Sequence, residues 1–178
     1  MTDLERLASF PATGRPGTVF NDWATAESAL RVRFPPTFKR FLDVLGGAKF
    51  DDFLLVYLAG AHNKNVDLLT QTTHTRASVT RTTSRRHIHE LLAERGVEPT
   101  QLIRWGGTDN ADMCFLIPHP DPCAWAVLVV EGRGNDYDLF EGPVESYLLR
   151  VMCGDFVSSV FPDDFPDACP FYERRTGI

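Results

Sequence analysis

The chain has 178 residues, of which 43% are hydrophobic and 24% are charged, a composition typical of one soluble domain with a sizeable core. It excludes a mainly disordered chain, and no apolar run approaches the roughly 18 residues that a membrane-spanning helix requires. The first residues lack a basic segment followed by an apolar one, so we expect a cytoplasmic location.

The formal charge is unevenly distributed along the chain. Residues 1–105 carry 14 Lys and Arg against 11 Asp and Glu, and residues 106–178 carry 4 against 13, so net charges of +3 and −9 sum to −6. The acidic part disfavours nucleic-acid binding, because phosphates are repelled, and favours a basic protein partner. Solubility alone explains the excess equally well.

The first 20 residues contain two prolines and two glycines and show little periodicity. This pattern predicts a loose leader or extended N-terminal arm over 1–20, followed by a single domain over 21–178. Nothing in the sequence indicates a linker long enough to divide that domain.

Two helices are predicted after the arm. The first follows a capping Asn21 or Asp22 and spans 23–30. The second begins at Pro35-Pro36 and ends at Gly46-Gly47, because proline suits a first helical turn and glycine suits a C-cap. Its apolar face consists of Phe38, Phe41, Leu42 and Leu45.

The middle of the chain predicts less regular structure. The apolar run 53–58 indicates a first strand. Residues 60–80 are rich in Thr, Asn and His, which predicts a loop with a short helix near 67–70. A third long helix is predicted over 81–95, with Gly96 as its stop.

Four further strands are predicted over 102–105, 113–117, 125–131 and 137–140. The run 125–131 is apolar on both faces, so we expect it in the centre of its sheet. A last helix follows Pro143. Closely spaced strands between blocks of helix predict an α+β fold, with a largely antiparallel sheet of about five to six strands wrapped by helices.

Several motifs follow one another over residues 20–172. Trp105-Gly106-Gly107-Thr108-Asp109-Asn110-Ala111-Asp112 is the most distinctive. The others are Trp23 to Leu30, Phe34-Pro35-Pro36 to Gly46-Gly47, Phe50 to Leu54, Trp125 to Gly134, and Phe161 to Pro166. In this order they resemble the SUKH superfamily, the Smi–Knr type of domain. The resemblance assigns a structural role to Trp23, Gly46, Gly47, Trp105, Gly106, Thr108, Asn110 and Asp112.

Two motif positions depart from the family, and one of them, Phe34 in place of the usual Leu, is a conservative apolar change. Ala111 stands where the family usually has Gly, which weakens the case for a positive φ at this turn. Asp109, Asn110 and Asp112 lack the spacing of a calcium loop and favour a structural turn.

The resemblance implies a sheet wrapped by helices, without catalytic apparatus. Bacterial members are inferred to be immunity proteins of polymorphic toxin systems, often against nuclease or deaminase toxins, and fungal relatives regulate cell-wall synthesis through protein contacts. We therefore expect a non-enzymatic protein-binding module, an immunity protein that neutralises a cognate toxin. The alternative is a regulatory interaction module of the same fold without a toxin partner. The oligomeric state stays open.

Cysteine and histidine spacing gives no sign of a catalytic, metal or cofactor site. The four cysteines form no Cys-x-x-Cys pair, which predicts free, buried or half-buried thiols, with a disulfide or metal site as the alternative. His87 and His89 would lie on different faces of a helix. A basic cluster, Arg76, Arg81, Arg85 and Arg86, suits a solvated helix face better than a phosphate contact.

Acidic residues surround one predicted hairpin and recur near the C-terminus. Acidic groups around an aromatic anchor would suit docking of a basic toxin domain. Phe140, Phe161 and Phe165 belong equally well to the core. The candidate partner-binding residues are Glu131, Asp136, Tyr137, Asp138, Glu141, Asp163 and Asp164.

Overall fold

The computed structural model describes residues 1–14, 19–79 and 86–175. These residues form six α-helices and one eight-stranded sheet, which confirms the predicted α+β class and exceeds the predicted number of strands. The elements are α1 (Asp3–Ala8), β1 (Ala12–Thr13), α2 (Trp23–Leu30), α3 (Pro36–Leu45), β2 (Gly47–Phe50), β3 (Leu54–Val56), α4 (Leu68–Val79), α5 (Arg86–Glu94), β4 (Ile103–Thr108), β5 (Met113–Ile117), β6 (Ala126–Val130), β7 (Tyr137–Phe140), α6 (Val144–Met152) and β8 (Tyr172–Arg175).

The sheet is antiparallel throughout except for one pair. Its strand order is β1-β8-β2-β3-β4-β5-β6-β7, and only β1 and β8 run parallel. β6 is buried along its whole length and pairs on both sides, with β5 and with β7. The predicted central position is wrong, because β6 lies next to the edge strand β7. Its two faces are both apolar because each one packs against a core that includes helix residues.

Three strands were missing from the prediction. β1 has only two residues, and β2 begins at Gly47 directly after Gly46, whose φ of +71° ends α3. β8 reads Tyr-Glu-Arg-Arg and lies between β1 and β2. A strand this short and charged carries no hydrophobic alternation, so its pairing is set by tertiary contacts.

The prediction of a loose arm is wrong for residues 1–14, which contain α1 and β1, and residues 15–18 of that prediction lie outside the described residues. Thr2 and Glu5 form a capping box at the start of α1, in which each side chain accepts from the other residue's backbone N–H. Leu4 and Leu7 are buried in the main core, where α1 packs against α6. A six-residue helix with two inward leucines is too short to show a periodic pattern.

The predicted loop over 60–80 contains the twelve-residue helix α4. The Asp67 carboxylate caps it by accepting from the Thr70 backbone N–H at 3.0 Å. Within the helix, the Thr73 and Thr75 hydroxyls donate to carbonyls four residues back. Contact with β4 stabilises this polar helix where local propensity does not. The predicted third helix is α5, and residues 81–85 of that prediction lie outside the described residues.

Side chains alternate between two cores along the strands. Val127 and Val129 of β6 face the larger core beneath α3 and α6, whereas Leu128 and Val130 face a smaller core beneath α5. Among the described residues, no helix combines the length and apolarity needed to cross a membrane.

Candidate protein-binding surface

Three hairpin turns lie at the same end of the sheet. Antiparallel pairing places the turns 51–53, 109–112 and 131–136 side by side, because β3 pairs with β4 and β5 pairs with β6. The Asp109 backbone N–H donates to the Phe53 carbonyl at 3.3 Å. The Gly132 backbone N–H donates to Asp112 Oδ1 at 2.8 Å. These bonds hold the turns together as one surface.

The segment 157–167 crosses this end of the sheet. The Asp51 Oδ2 atom accepts from the Asp167 backbone N–H at 3.0 Å. The rings of Phe53 and Phe165 lie 4.9 Å apart between centroids. Val160 lines a small cavity together with residues of the second and third turns. The C-terminal segment is therefore part of the same surface.

We call these four segments, 51–53, 109–112, 131–136 and 157–167, the acidic end. Arg133 is their only basic residue. Asp109 is paired with Lys49 of β2, with Nζ 3.0 Å from Oδ2. Five exposed carboxylates form no ion pair with any described residue. The nine acidic residues are Asp51, Asp52, Asp109, Asp112, Glu131, Asp136, Asp163, Asp164 and Asp167, and the five are Asp52, Asp136, Asp163, Asp164 and Asp167.

The central sequence motif builds the middle turn. Asp112 is buried, and its carboxylate accepts from the Thr108 hydroxyl at 2.6 Å as well as from Gly132. The Thr108 oxygen accepts from the Asp112 backbone N–H in return. Ala111 has a φ of +69°. The turn therefore keeps the positive φ that the Gly-to-Ala departure argued against.

The other motif residues occupy structural positions. Trp105 is fully buried, and Trp23 packs on Phe34 with ring centroids 5.3 Å apart. A Cβ at Gly106 would lie 2.7 Å from the Leu55 carbonyl oxygen, so the strands approach too closely there for a side chain. The remaining positions are Gly46 at the α3 C-cap, Gly47 at the start of β2, and Asn110, exposed in the middle turn.

The prediction of Asp138 as a docking residue is wrong. Asp138 is 3% exposed. Its Oδ2 accepts from the hydroxyls of Tyr147 at 3.0 Å and Ser158 at 2.6 Å, and its Oδ1 accepts from the Ser159 backbone N–H at 2.8 Å. Burial, and then the adjacent Asp138 carboxylate, raise the pKa of Tyr147. Asp138 therefore fixes the segment 157–167 from inside.

Two further predicted residues lie apart from the acidic end or are covered. Glu141 follows β7 at the opposite end of the sheet and pairs with Arg95. Tyr137 is half-buried and stacks on His87 at 5.4 Å. The predicted residues that the structure brings together at the acidic end are Glu131, Asp136, Asp163 and Asp164.

Asp51, Asp52, Asp109 and Asp167 also belong to the acidic end and were not among the candidates. They are distant in sequence from the hairpin at 131–136. Their contribution depends on strand order, since only the pairing of β3 with β4 brings the first turn to the second. The composition of the sequence does not predict that these turns lie together, because their positions depend on the strand order.

The four cysteines differ in their exposure. All four cysteines are free, and Cys114 alone is buried, which raises the pKa of its thiol. Cys123, Cys153 and Cys169 are exposed, in contrast to the prediction.

Within the basic cluster, Arg76 donates to the Leu102 and Gln101 carbonyls, and Arg86 pairs with Glu90. Arg81 and Arg85 lie outside the described residues.

An apolar cavity of about 320 Å³ lies at the far end of the sheet. Pro35 and Pro143, which precede α3 and α6, form part of its wall, together with Phe38 and Trp125.

Among the described residues, no group of three His, Cys, Asp or Glu side chains is placed to hold a metal ion.

Comparison of the chain with protein-family models, curated proteins and solved structures gave no match. The likeness to the SUKH superfamily thus rests on the sequence motifs alone.

Proposed function

We propose that this chain is a non-enzymatic protein-binding module of the SUKH type, an immunity protein that neutralises a basic toxin domain through the acidic end. The observation that supports this proposal is the set of five exposed carboxylates without an ion-pair partner among the described residues. Solubility depends on the net charge and does not require the charges to lie on adjoining turns.

The electrostatics of such a surface favour a cationic partner. Like charges on neighbouring turns add their fields, which attract a basic domain and repel nucleic acid. Rim carboxylates increase the rate of encounter more than they add to final affinity. Association is therefore expected to be fast at low ionic strength and to slow as salt shortens the Debye length.

Co-expression tests the toxin partner directly. The product of the adjacent open reading frame is expressed with and without this chain, and growth is measured together with co-purification. Growth rescue with a stable complex is the expected result. A folded chain that gives neither rescue nor complex would overturn the immunity proposal and favour a regulatory module of the same fold.

Single charge reversals test the surface. Asp136→Lys and Asp164→Lys change exposed residues of the acidic end, and we expect each to slow association with the toxin about tenfold at low salt. Glu94→Lys is the matched control, because Glu94 is exposed in the last turn of α5 at the opposite end of the sheet. Equal effects of all three reversals would show that net charge matters and the acidic end does not.

A further inference from the structure

A cavity of about 180 Å³ adjoins the acidic end, beneath the segment 157–167. Apolar side chains line most of it, and they include the aromatic rings of Phe156, Phe161 and Phe165. Of the described residues that line it, only Asp163 is charged. Val157, which also lines the cavity, is 88% exposed.

The walls of this cavity are held in place by contacts from the interior. Phe161 is 6% exposed, and its ring is perpendicular to that of Phe165, with centroids 5.3 Å apart. The Ser158 oxygen accepts from the Phe161 backbone N–H at 2.9 Å, while its hydroxyl donates to Asp138. A preformed pocket loses less conformational entropy when it binds a side chain.

The charge at the mouth of the cavity is uncompensated. The Asp163 carboxylate is exposed and forms no hydrogen bond or ion pair with a described residue. The nearby Arg150 is directed elsewhere, with its guanidinium 5.5 Å from the centroid of the Phe140 ring. A ligand that combines an apolar stem with a cationic head would satisfy both the walls and the rim.

We propose that this cavity, the aromatic pocket, binds an arginine side chain of the protein partner. The inference rests on the proposed function, because it supplies the anchor residue for the basic domain that the acidic end attracts. A guanidinium is planar, stacks on aromatic rings and bonds a carboxylate through two N–H groups. A lysine ammonium is compact and strongly hydrated, so it gains less from aromatic walls.

NMR titration of the full chain tests the pocket without the toxin. The probe is the blocked peptide acetyl-Gly-Arg-Gly-amide, compared with the same peptide carrying citrulline or lysine. The arginine peptide is expected to shift the signals of Val157, Phe161 and Phe165, and to bind about tenfold more tightly than either of the other two. Citrulline has nearly the same shape without the charge, so equal binding of that peptide would overturn the proposal. Equal binding of the lysine peptide would overturn the choice of arginine.

Asp163→Asn tests the rim, since it removes the charge and keeps the side-chain shape. We expect it to weaken the arginine peptide about tenfold and to leave the citrulline peptide unaffected. Glu94→Gln is the matched control and should leave both unchanged. Arginine binding that is insensitive to Asp163→Asn would overturn the proposal. If the arginine peptide does not bind while Asp164→Lys still slows toxin association, the aromatic pocket is wrong and the acidic end stands. If the peptide binds but the toxin neither associates with the chain nor is neutralised by it, the proposed function is wrong.

Discussion

The carboxylate of Asp138 accepts a hydrogen bond of 3.0 Å from the hydroxyl of Tyr147, and both side chains are buried. The same carboxylate holds Ser158 and Ser159. One side chain of the edge strand β7 therefore links α6 to the segment that carries Asp163 and Asp164. The acidic end depends on an acidic residue that no partner can reach.

Replacement of Asp138 by Ala leaves three donors without their acceptor. Tyr147 is buried, Ser158 is half-buried and Ser159 is exposed. A buried donor that loses a charged acceptor is costly, so we expect the free energy of unfolding to fall by about 3 kcal/mol. Urea denaturation followed by circular dichroism measures the change. Asp136→Ala, two residues away and exposed, should stay within about 0.5 kcal/mol of the wild type. Similar losses in the two variants would contradict the anchoring role of Asp138.

Ala111→Gly is expected to stabilise the protein. Ala111 has a φ of +69°, a conformation that glycine adopts without steric cost. The relief is partly offset by the greater freedom of glycine in the unfolded chain, so we expect a net gain of about 0.5–1 kcal/mol.

The control for this prediction is Ala24→Gly. Ala24 is exposed in the first turn of α2, where glycine should destabilise the helix by up to about 1 kcal/mol. The two substitutions therefore have opposite expected signs in thermal and urea denaturation. A loss of stability in both variants would show that the turn at Ala111 is not strained.

Local sequence patterns predicted the elements whose apolar residues form either one regular face or a continuous run. In α3, Phe38 and Phe41 are buried as their spacing indicated, and β5 keeps its predicted bounds. Helix α4 escaped prediction because its threonines bond their own backbone and its position depends on β4. β8 escaped because charged residues in a strand give no periodic signal.

Acidic composition was visible in the sequence, but exposure was not. Asp136 is exposed in the turn before β7, whereas Asp138 is buried within that strand. Residues two apart in a strand point to the same face, so the difference in exposure comes from where the strand begins. The local sequence gives no signal that one residue is exposed and the other buried. The pairing of β7 with β6 includes Asp138 and does not include Asp136. Only the fold distinguishes a carboxylate that meets solvent from one that holds the chain together.

Glu145→Gln should flatten the dependence of stability on pH. Burial raises the pKa of Glu145 above its ordinary value of 4.5. The bond from its own backbone N–H opposes this rise, and the nearby Asp3 carboxylate adds a smaller increase in the pKa. Its Oε2 atom has no hydrogen-bond partner among the described residues. A raised folded-state pKa means that the contribution of Glu145 is present below the unfolded pKa and is lost as the pH rises through the folded pKa.

Glu5→Gln supplies the opposite sign. The Thr2 backbone N–H donates to Glu5 and lowers its pKa, so its contribution is present above the unfolded pKa and is lost as the pH falls. Urea denaturation of both variants and the wild type from about pH 3 to pH 7 compares them. Relative to wild type, Glu145→Gln should gain stability as the pH rises through this range, and Glu5→Gln should lose it. Changes of the same sign would contradict the assignment.

Asp51→Ala should release the C-terminal segment from the first turn. The Asp51 carboxylate accepts from the backbone N–H groups of Phe171 at 2.7 Å and Asp167 at 3.0 Å. Without it, we expect amide hydrogen exchange at these two residues to accelerate about tenfold, because local opening no longer breaks these bonds.

Asp52→Ala is the matched control for this change. Asp51 and Asp52 both have positive φ, 44° and 52°, so replacement by alanine alters backbone strain at both positions. Of these two residues only Asp51 holds the segment, since the Asp52 side chain is exposed and makes no hydrogen bond to a described residue. Faster exchange at Asp167 and Phe171 in Asp51→Ala alone would identify the carboxylate as the tether, because the strain is common to the two variants. Equal acceleration in both would assign the effect to the turn backbone and leave the segment held by its aromatic contacts with Phe53.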